Sequence, residues 1–346
     1  MTRATRSTLA IDAMGGDIGL DTTLPAIGIA QKRHPDIHFI LVGDQVSIES
    51  HPAFAQLNPQ RITVRHASQI VAMDENPASV LRHKNDSSMW RAIELVRDGE
   101  AQACVSAGNT GALMASARYI LKMLPGISRP AICATVPSLH GHVHWLDLGA
   151  NVDSKPEQLR QFAIMGSELA RAVDNIEKPA VGLLNIGEEA IKGNDTVKET
   201  GKLLEKSNIH YIGFVEGNDI FLRANLNVVV CDGFVGNVAL KTVEGLAKFI
   251  QKEMESSFRH NLWSKLAALF ALPALRRVKG RIDPRGYNGA SIVGLQGVVV
   301  KSHGNADAFA YANAINIARL EIERNVIGRI REQLKQNASL DETTSS

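Results

Sequence analysis

The sequence predicts an α/β fold, a doubly wound and largely parallel sheet of Rossmann-like layers with a helical hairpin extension. Three observations carry that prediction. An apolar strand that ends abruptly in glycine, asparagine and small polar residues recurs as Leu9–Asp17, Ala103–Ala112, Trp145–Asp153, Val181–Asp195, Gly213–Asp219, Val228–Asn237 and Val298–Asp307. Stretches of helical period lie between these phrases, and such alternation builds parallel sheets. One long apolar and basic segment, Leu246–Arg285, carries no strand signal at all.

In chain order, the helical stretches are Thr22–His34, Ala78–Arg97, Gly111–Leu124, Pro156–Val173, Thr196–Lys206, Asn237–Phe258 and Ala306–Gln333. Pro156 follows Ser154 and Lys155 and suits a first helical turn. Ile132–Val136 and Val143–Leu148 flank Pro137–His142 and read as an antiparallel hairpin added to the sheet. In the segment without strands, Leu246, Phe249, Ile250 and Met254 share one helical face. Asn261–Pro273 then brings Trp263, Leu266, Leu269 and Phe270, and Arg276, Arg277, Lys279 and Arg281 follow. Trp and Leu beside clustered Arg and Lys is the composition of a membrane-interfacial segment, and an oligomer interface or a core-packed helix is the alternative. The tail Asn337–Ser346 is polar and predicts disorder, so residues 1–346 read as one catalytic unit with the hairpin at 246–285.

Bulk composition narrows the function. The 346 residues are 45% hydrophobic with a net charge of +2, too little to argue for a nucleic-acid partner. Cys104, Cys133 and Cys231 stand apart in apolar runs, which suits a reducing compartment and disfavours disulfides and a thiolate zinc site. The first apolar run is broken by Asp12 and Asp17, unlike a signal peptide. No stretch reaches the roughly 18 apolar residues of a spanning helix. These features predict a cytoplasmic protein. There is no G-x-S-x-G elbow, P-loop, H-E-x-x-H or G-x-G-x-x-G after a strand, so serine hydrolysis, P-loop chemistry and a standard dinucleotide site are disfavoured.

What remains is an anion-binding cleft, since ligands sit beyond the carboxyl ends of parallel strands and glycine-rich loops there present backbone N–H groups. Lys192 lies between a strand end and a helix start, where a lysine neutralises phosphate or a developing oxyanion; a solvated loop lysine is the plain alternative. Asp232 follows four apolar residues and either orients hydrogen phosphate or caps the next helix. Gly108, Asn109, Thr110, Asn194, Gly236 and Asn237 are candidates for phosphate binding, and caps and anion sites share one geometry. Arg82 and Lys84 with Ser87 and Ser88 form a second basic element, with an ordinary exposed helix face as the alternative. His140, His142 and His144 alternate as metal ligands on a strand would, but Gly141 reads as a turn and no nearby carboxylate motif completes a site, so no metal is expected. His303, at a strand end, is the better polar candidate near the cleft.

Taken in order, Asp12–Asp17, Ser106–Met114, Asp147–Asp153, Asn185–Glu189 with Lys192–Asn194, Asp232–Val238 and Ser302–Asp307 resemble the phosphate acyltransferase (PlsX) family across Leu9–Arg329. The resemblance implies acyl phosphate synthesis from acyl-acyl carrier protein and inorganic phosphate, without a cofactor. It implies a fold like phosphate acetyltransferases and isocitrate-type dehydrogenases, and a homodimer attached peripherally to the inner face of the membrane. It further implies that Leu246–Arg285 is a hairpin for dimerisation and contact with an anionic membrane surface, and that a membrane glycerol-3-phosphate acyltransferase consumes the product. Arg82–Met89 is similar to the family's basic Lys-Ser-Ser stretch, although His83 and Asp86 stand where basic or polar residues are more usual. Three other readings remain, one of them a non-enzymatic membrane scaffold that retains the fold, against which Lys192 and Asp232 in cleft-type loops count. A short-chain enzyme using acyl-coenzyme A would need no apolar hairpin, and an isocitrate-type NAD-dependent dehydrogenase would need clustered aspartates and arginines that the sequence does not offer.

Overall fold

The computed structural model describes residues 7–344, so residues 1–6 and the last two residues of the tail lie outside it. The chain runs through β1 (Thr8–Asp12), α1 (Leu20–Arg33), β2 (His38–Gly43), α2 (Gln45–Ser50), β3 (Ile62–His66), α3 (Pro77–His83), α4 (Ser88–Arg97), β4 (Ala103–Ser106) and α5 (Thr110–Leu121). It continues through β5 (Ala131–Ser138), β6 (Gly141–Leu146), α6 (Pro156–Val173), β7 (Ala180–Leu184), α7 (Asp195–Glu205), β8 (His210–Val215), α8 (Asp219–Leu222) and β9 (Val228–Val230). The last part comprises α9 (Gly233–Arg259), α10 (Leu262–Ile282), β10 (Ala290–Val293), β11 (Val298–Lys301), α11 (Ala308–Glu323) and α12 (Val326–Thr344).

All the described strands join one sheet of 11, in the order β3-β2-β1-β4-β11-β10-β5-β6-β9-β7-β8. Strands β3, β2, β1, β4 and β11 form one parallel block, and β6, β9, β7 and β8 form a second. Antiparallel pairings of β10 with β11, β10 with β5 and β5 with β6 stitch the blocks together. The expected hairpin is therefore present, but it lies at the centre of the sheet rather than as an addition to it.

Helices cover both faces, which is why the block strands read as continuous apolar runs. On one face, α1 and α11 pack on Leu9, Ile11, Val105, Val298 and Val300, and α6 and α12 pack on Leu146, Val181 and Val228. On the other, α4 and α5 cover Ala10, Cys104 and Val299, while α8 and the start of α9 cover Val143, Trp145 and Val229. In β6, His142, His144 and Leu146 thus share the α6 face, and Val143 and Trp145 point the opposite way.

Three expectations change. The stretch Ala78–Arg97 is two helices, α3 and α4, because residues 84–87 form a turn in which Ser87 caps α4 through Trp90 N. The stretch Ala306–Gln333 breaks at Asn325, whose φ of 50° ends α11. The tail predicted to be disordered from Asn337 is helical to Thr344, and buried Asn337 accepts a hydrogen bond from Asn208 N at 2.9 Å.

The long segment forms the expected pair of helices, α9 and α10, which touch each other and are joined by His260 and Asn261. In α9 only Gly233 and Gly236 are buried. Leu246, Phe249 and Ile250 on α9 and Leu262, Trp263, Leu269 and Phe270 on α10 are exposed, Trp263 and Phe270 at 80% and 78%. The side chain of Lys279 lies outside the described residues. No described helix is long and apolar enough to cross a membrane.

Candidate active site

Three loops meet beyond the ends of β1, β4 and β11. Asp12 ends β1 with its carboxylate buried, accepting from Ser88 Oγ and Ser106 Oγ at 2.6 Å each and from Gly15 N at 3.1 Å. Burial pushes the Asp12 pKa up, and the hydrogen bonds from Ser106, Ser88 and Gly15 oppose it. A Cβ on Gly15 would lie 2.3 Å from Asp12 Oδ2 and 2.9 Å from Gly108 N, so only glycine fits there. Asp17 N donates to Gly304 O at 2.8 Å, tying the first loop to the one after β11.

Lys301, the last residue of β11, is only 8% exposed. Its ammonium donates to Ala107 O at 3.1 Å and to Ser302 O, beneath the loops that follow β4 and β11. Burial brings its pKa down to about 8, while Asp12 and Asp17 pull it upward. His303 is exposed, yet the protein around it removes enough water to lower its pKa, with Lys301, Lys241 and Lys248 acting in the same direction and Glu244 against it. Lys241, Glu244 and Lys248 belong to α9, which follows β9, so α9 brings charge from the second block to the strand ends of the first.

The second block places Lys192, Asn194, Asp232, Gly236 and Asn237 beyond β7 and β9. Asp147, after β6, is fully buried and accepts from Ile132 N, Ala150 N, Asn151 N and Asn151 Nδ2 at 2.8–3.0 Å. Burial raises its pKa and those donors oppose the rise. A Cβ on Gly236 would lie 1.9 Å from Asp147 O, and one on Gly149 would lie 3.4 Å from Asn237 Cβ, so α9 starts pressed onto the loop after β6.

Four helices begin at these strand ends with the same cap, α11 among them through Asp307, which accepts from Ala310 N at 2.8 Å. Asn109, Asn194 and Asp232 each accept a hydrogen bond, at 2.9 Å, from the N–H three residues on: Ala112, Val197 and Val235. The caps of α5 and α7 leave first-turn N–H groups without an intrahelical acceptor, the arrangement that holds anions, whereas Gly233 N of α9 donates to Asn151 O at 2.9 Å. The cap has a consequence for Asn109, whose Nδ2 also donates to Met73 O and Glu75 O; with Gly108 N donating to Ser106 Oγ at 3.0 Å, exposed Thr110 is the open position of that loop. Lys192 is half-exposed and pairs with Glu189 at 2.9 Å, which raises its pKa.

The basic element divides. Ser87 and Ser88 are buried, one capping α4 and the other bound to Asp12. Lys84 Nζ donates to Ile70 O at 3.0 Å, and Arg82 is exposed on α3. Sequence reasoning had not singled out Asp12, Asp147 or Lys301, although an acid or lysine closing a run such as Val-Val-Val-Lys301 is a signal of the same kind as Asp232. All three thiols are buried, and burial pushes Cys104, Cys133 and Cys231 up, so none is a ready nucleophile.

A family described as "Fatty acid synthesis protein" matches residues 7–329. A curated "Phosphate acyltransferase" of Dichelobacter nodosus is 67% identical over 334 residues, covering 96% of each chain. This chain belongs to the phosphate acyltransferase family. A second phosphate acyltransferase, from Halorhodospira halophila, is 54% identical over 95% of this chain and 96% of that one. As a member of the family the protein is an acyltransferase of fatty acid and phospholipid synthesis. Among solved structures, a phosphotransacetylase from Staphylococcus aureus has a TM-score of 0.59 at 16% identity over 91% of this chain and 94% of that one. A phosphotransacetylase from Streptococcus pyogenes also has a TM-score of 0.59, at 17% identity over 92% and 95%. These phosphotransacetylases share the fold of this chain.

Proposed function

We propose that the protein transfers a long-chain acyl group from acyl-acyl carrier protein to inorganic phosphate, giving acyl phosphate for phospholipid synthesis. The observation that carries the reading is the set of capped helix starts at the strand ends, with the Lys301 ammonium beneath the loop that leads into the one after β4. Together they offer N–H donors and positive charge to phosphate, and no activated protein nucleophile accompanies them.

Phosphate is a competent nucleophile at neutral pH, so the protein mainly positions it beside the thioester carbonyl. Backbone N–H groups of Thr110 and Asn194 and the side-chain amide of Asn237 hold its oxygens, whereas Gly108 N and Gly236 N already donate to Ser106 Oγ and Asp232 O. Lys301 and Lys192 offset its charge, with Lys192 exchanging Glu189 for phosphate. His303, kept neutral, adds a hydrogen bond. A phosphate oxygen attacks the carbonyl carbon, and Lys192 or a loop N–H stabilises the tetrahedral oxyanion; one such donor contributes ~3–4 kcal/mol. The carbon–sulfur bond then breaks, and the proton of hydrogen phosphate passes to the departing thiolate, with Asp232 orienting it. Arg82 and Lys84 meet the acidic carrier protein.

The exposed apolar hairpin supports a long-chain product over a short-chain one. In this reading Leu246, Phe249, Ile250 and Met254 pair with a second copy of the chain, and Trp263, Leu266, Leu269 and Phe270 touch an anionic membrane surface from the cytoplasmic side. A membrane glycerol-3-phosphate acyltransferase then receives the amphiphilic product. The test is release of carrier-protein thiol from palmitoyl-acyl carrier protein, with hydroxylamine trapping of product. Thiol release that requires phosphate, with hydroxamate formed, is expected. Release without phosphate, or only from acetyl-coenzyme A, contradicts the proposal.

A further inference from the structure

We propose that His142, His144 and Asp174 form a site for a divalent transition-metal ion of zinc type, on the sheet face opposite α9 and Lys301. In the register of β6, His142 and His144 project from one face, where the end of α6 delivers Asp174 to meet them. His142 Nε2 lies 2.9 Å from Asp174 Oδ1, and His144 Nε2 lies 2.8 Å from Asp174 Oδ2. The three side chains offer two imidazole nitrogens and one carboxylate, with their ligand atoms all within 4.8 Å of one another. His140 is excluded, because it sits exposed in the turn that precedes β6.

The donor set fits a borderline cation, for which imidazole and carboxylate are the usual nitrogen and oxygen ligands. At metal–ligand distances of about 2.0–2.2 Å, neighbouring ligand atoms stand roughly 3.0–3.5 Å apart, so entry of the ion widens each N···O spacing by only a few tenths of an ångström. The imidazoles must give up the Nε2 protons they donate to Asp174. For His144 the alternative tautomer is supported, since Nδ1 lies 3.3 Å from Thr135 Oγ1, which accepts from Nδ1–H once Nε2 holds the metal. The side chain of His144 is 5% exposed and that of Asp174 14%, whereas His142, at 37%, leaves an open side for water ligands and for entry. A metal there would clamp the central strand to the last turn of α6, a structural role independent of acyl transfer.

The test uses the full-length protein stripped with a chelator, titrated with zinc chloride and followed by calorimetry and thermal unfolding. We expect one zinc per chain, a Tm rise of several degrees, and loss of binding by at least about tenfold in His142→Ala. His142→Ala also loses its pair with Asp174, so its zinc-induced Tm rise is read against its own apo form, and His140→Ala should bind as the wild type does. An absence of stoichiometric zinc, or binding by His142→Ala equal to wild type, overturns the proposal. X-ray absorption of the zinc complex without two imidazole ligands does so as well.

Discussion

The Lys301 ammonium is bound by the Ala107 and Ser302 carbonyls in a site that excludes most of its water, and its pKa falls to about 8 there. The sign of the linkage is definite. Below pH 8 both folded and unfolded chains carry the charge, and the folded state bears the full cost of burying it. That cost fades as pH rises from the folded value through the unfolded 10.5, above which neither form is charged. Its size is on the order of 3 kcal/mol. Lys301→Met should therefore be more stable than wild type at pH 7, with the gain in Tm shrinking above pH 8, while the KM for phosphate rises more than about tenfold. Unfolding scans and phosphate titrations check both halves; unchanged phosphate dependence removes Lys301 from the site.

Asp232 combines two duties that one substitution can separate. Asp232→Ala removes the cap of α9 and costs about 1 kcal/mol of stability, whereas Asp232→Asn keeps a capping oxygen. If the carboxylate orients phosphate, Asp232→Asn should lose more than about tenfold in turnover at wild-type Tm. Full activity in that variant would leave Asp232 as a cap alone.

Among the elements, α9 and α10 present the largest departure from ordinary soluble packing. Phe249, Trp263, Leu269 and Phe270 stay exposed although each would gain about 2 kcal/mol or more by burial. Leu266→Glu with Leu269→Glu should release the protein from anionic vesicles in a pelleting assay without changing its Tm. Unchanged pelleting would make the hairpin a purely structural or dimer-forming element. This segment was legible because its composition differs from everything around it. The strand-end phrases were legible for a related reason: a parallel strand covered on both faces must be apolar, and its loop must turn sharply. Strands β2, β3 and β10 were not anticipated, although β2 closes in Gly43 before Asp44 and β10 runs into Gly294. The central position of the β5–β6 hairpin depends on β10, which pairs with the nearby β11 and, across a long separation in sequence, with β5. Asp174 was equally invisible as a partner of His142 and His144, since only the length of α6 returns it to β6.

At the scale of the molecule, two parallel blocks each supply strand-end loops, and α9 leaves one block to bring Lys241, Glu244 and Lys248 to His303 of the other. The candidate site was therefore half readable. Motif by motif, the sequence marked the caps at Asn109, Asn194 and Asp232, but not the buried carboxylates of Asp12 and Asp147 that shape the loops from below. In the proposed reading the enzyme binds and positions phosphate and relies on phosphate itself as the nucleophile. The most direct test is the intact mass of the protein after rapid quenching with palmitoyl-acyl carrier protein, with and without phosphate. The account predicts unmodified enzyme in both cases and carrier thiol released only with phosphate. An acylated enzyme that accumulates without phosphate and discharges when phosphate is added would contradict it.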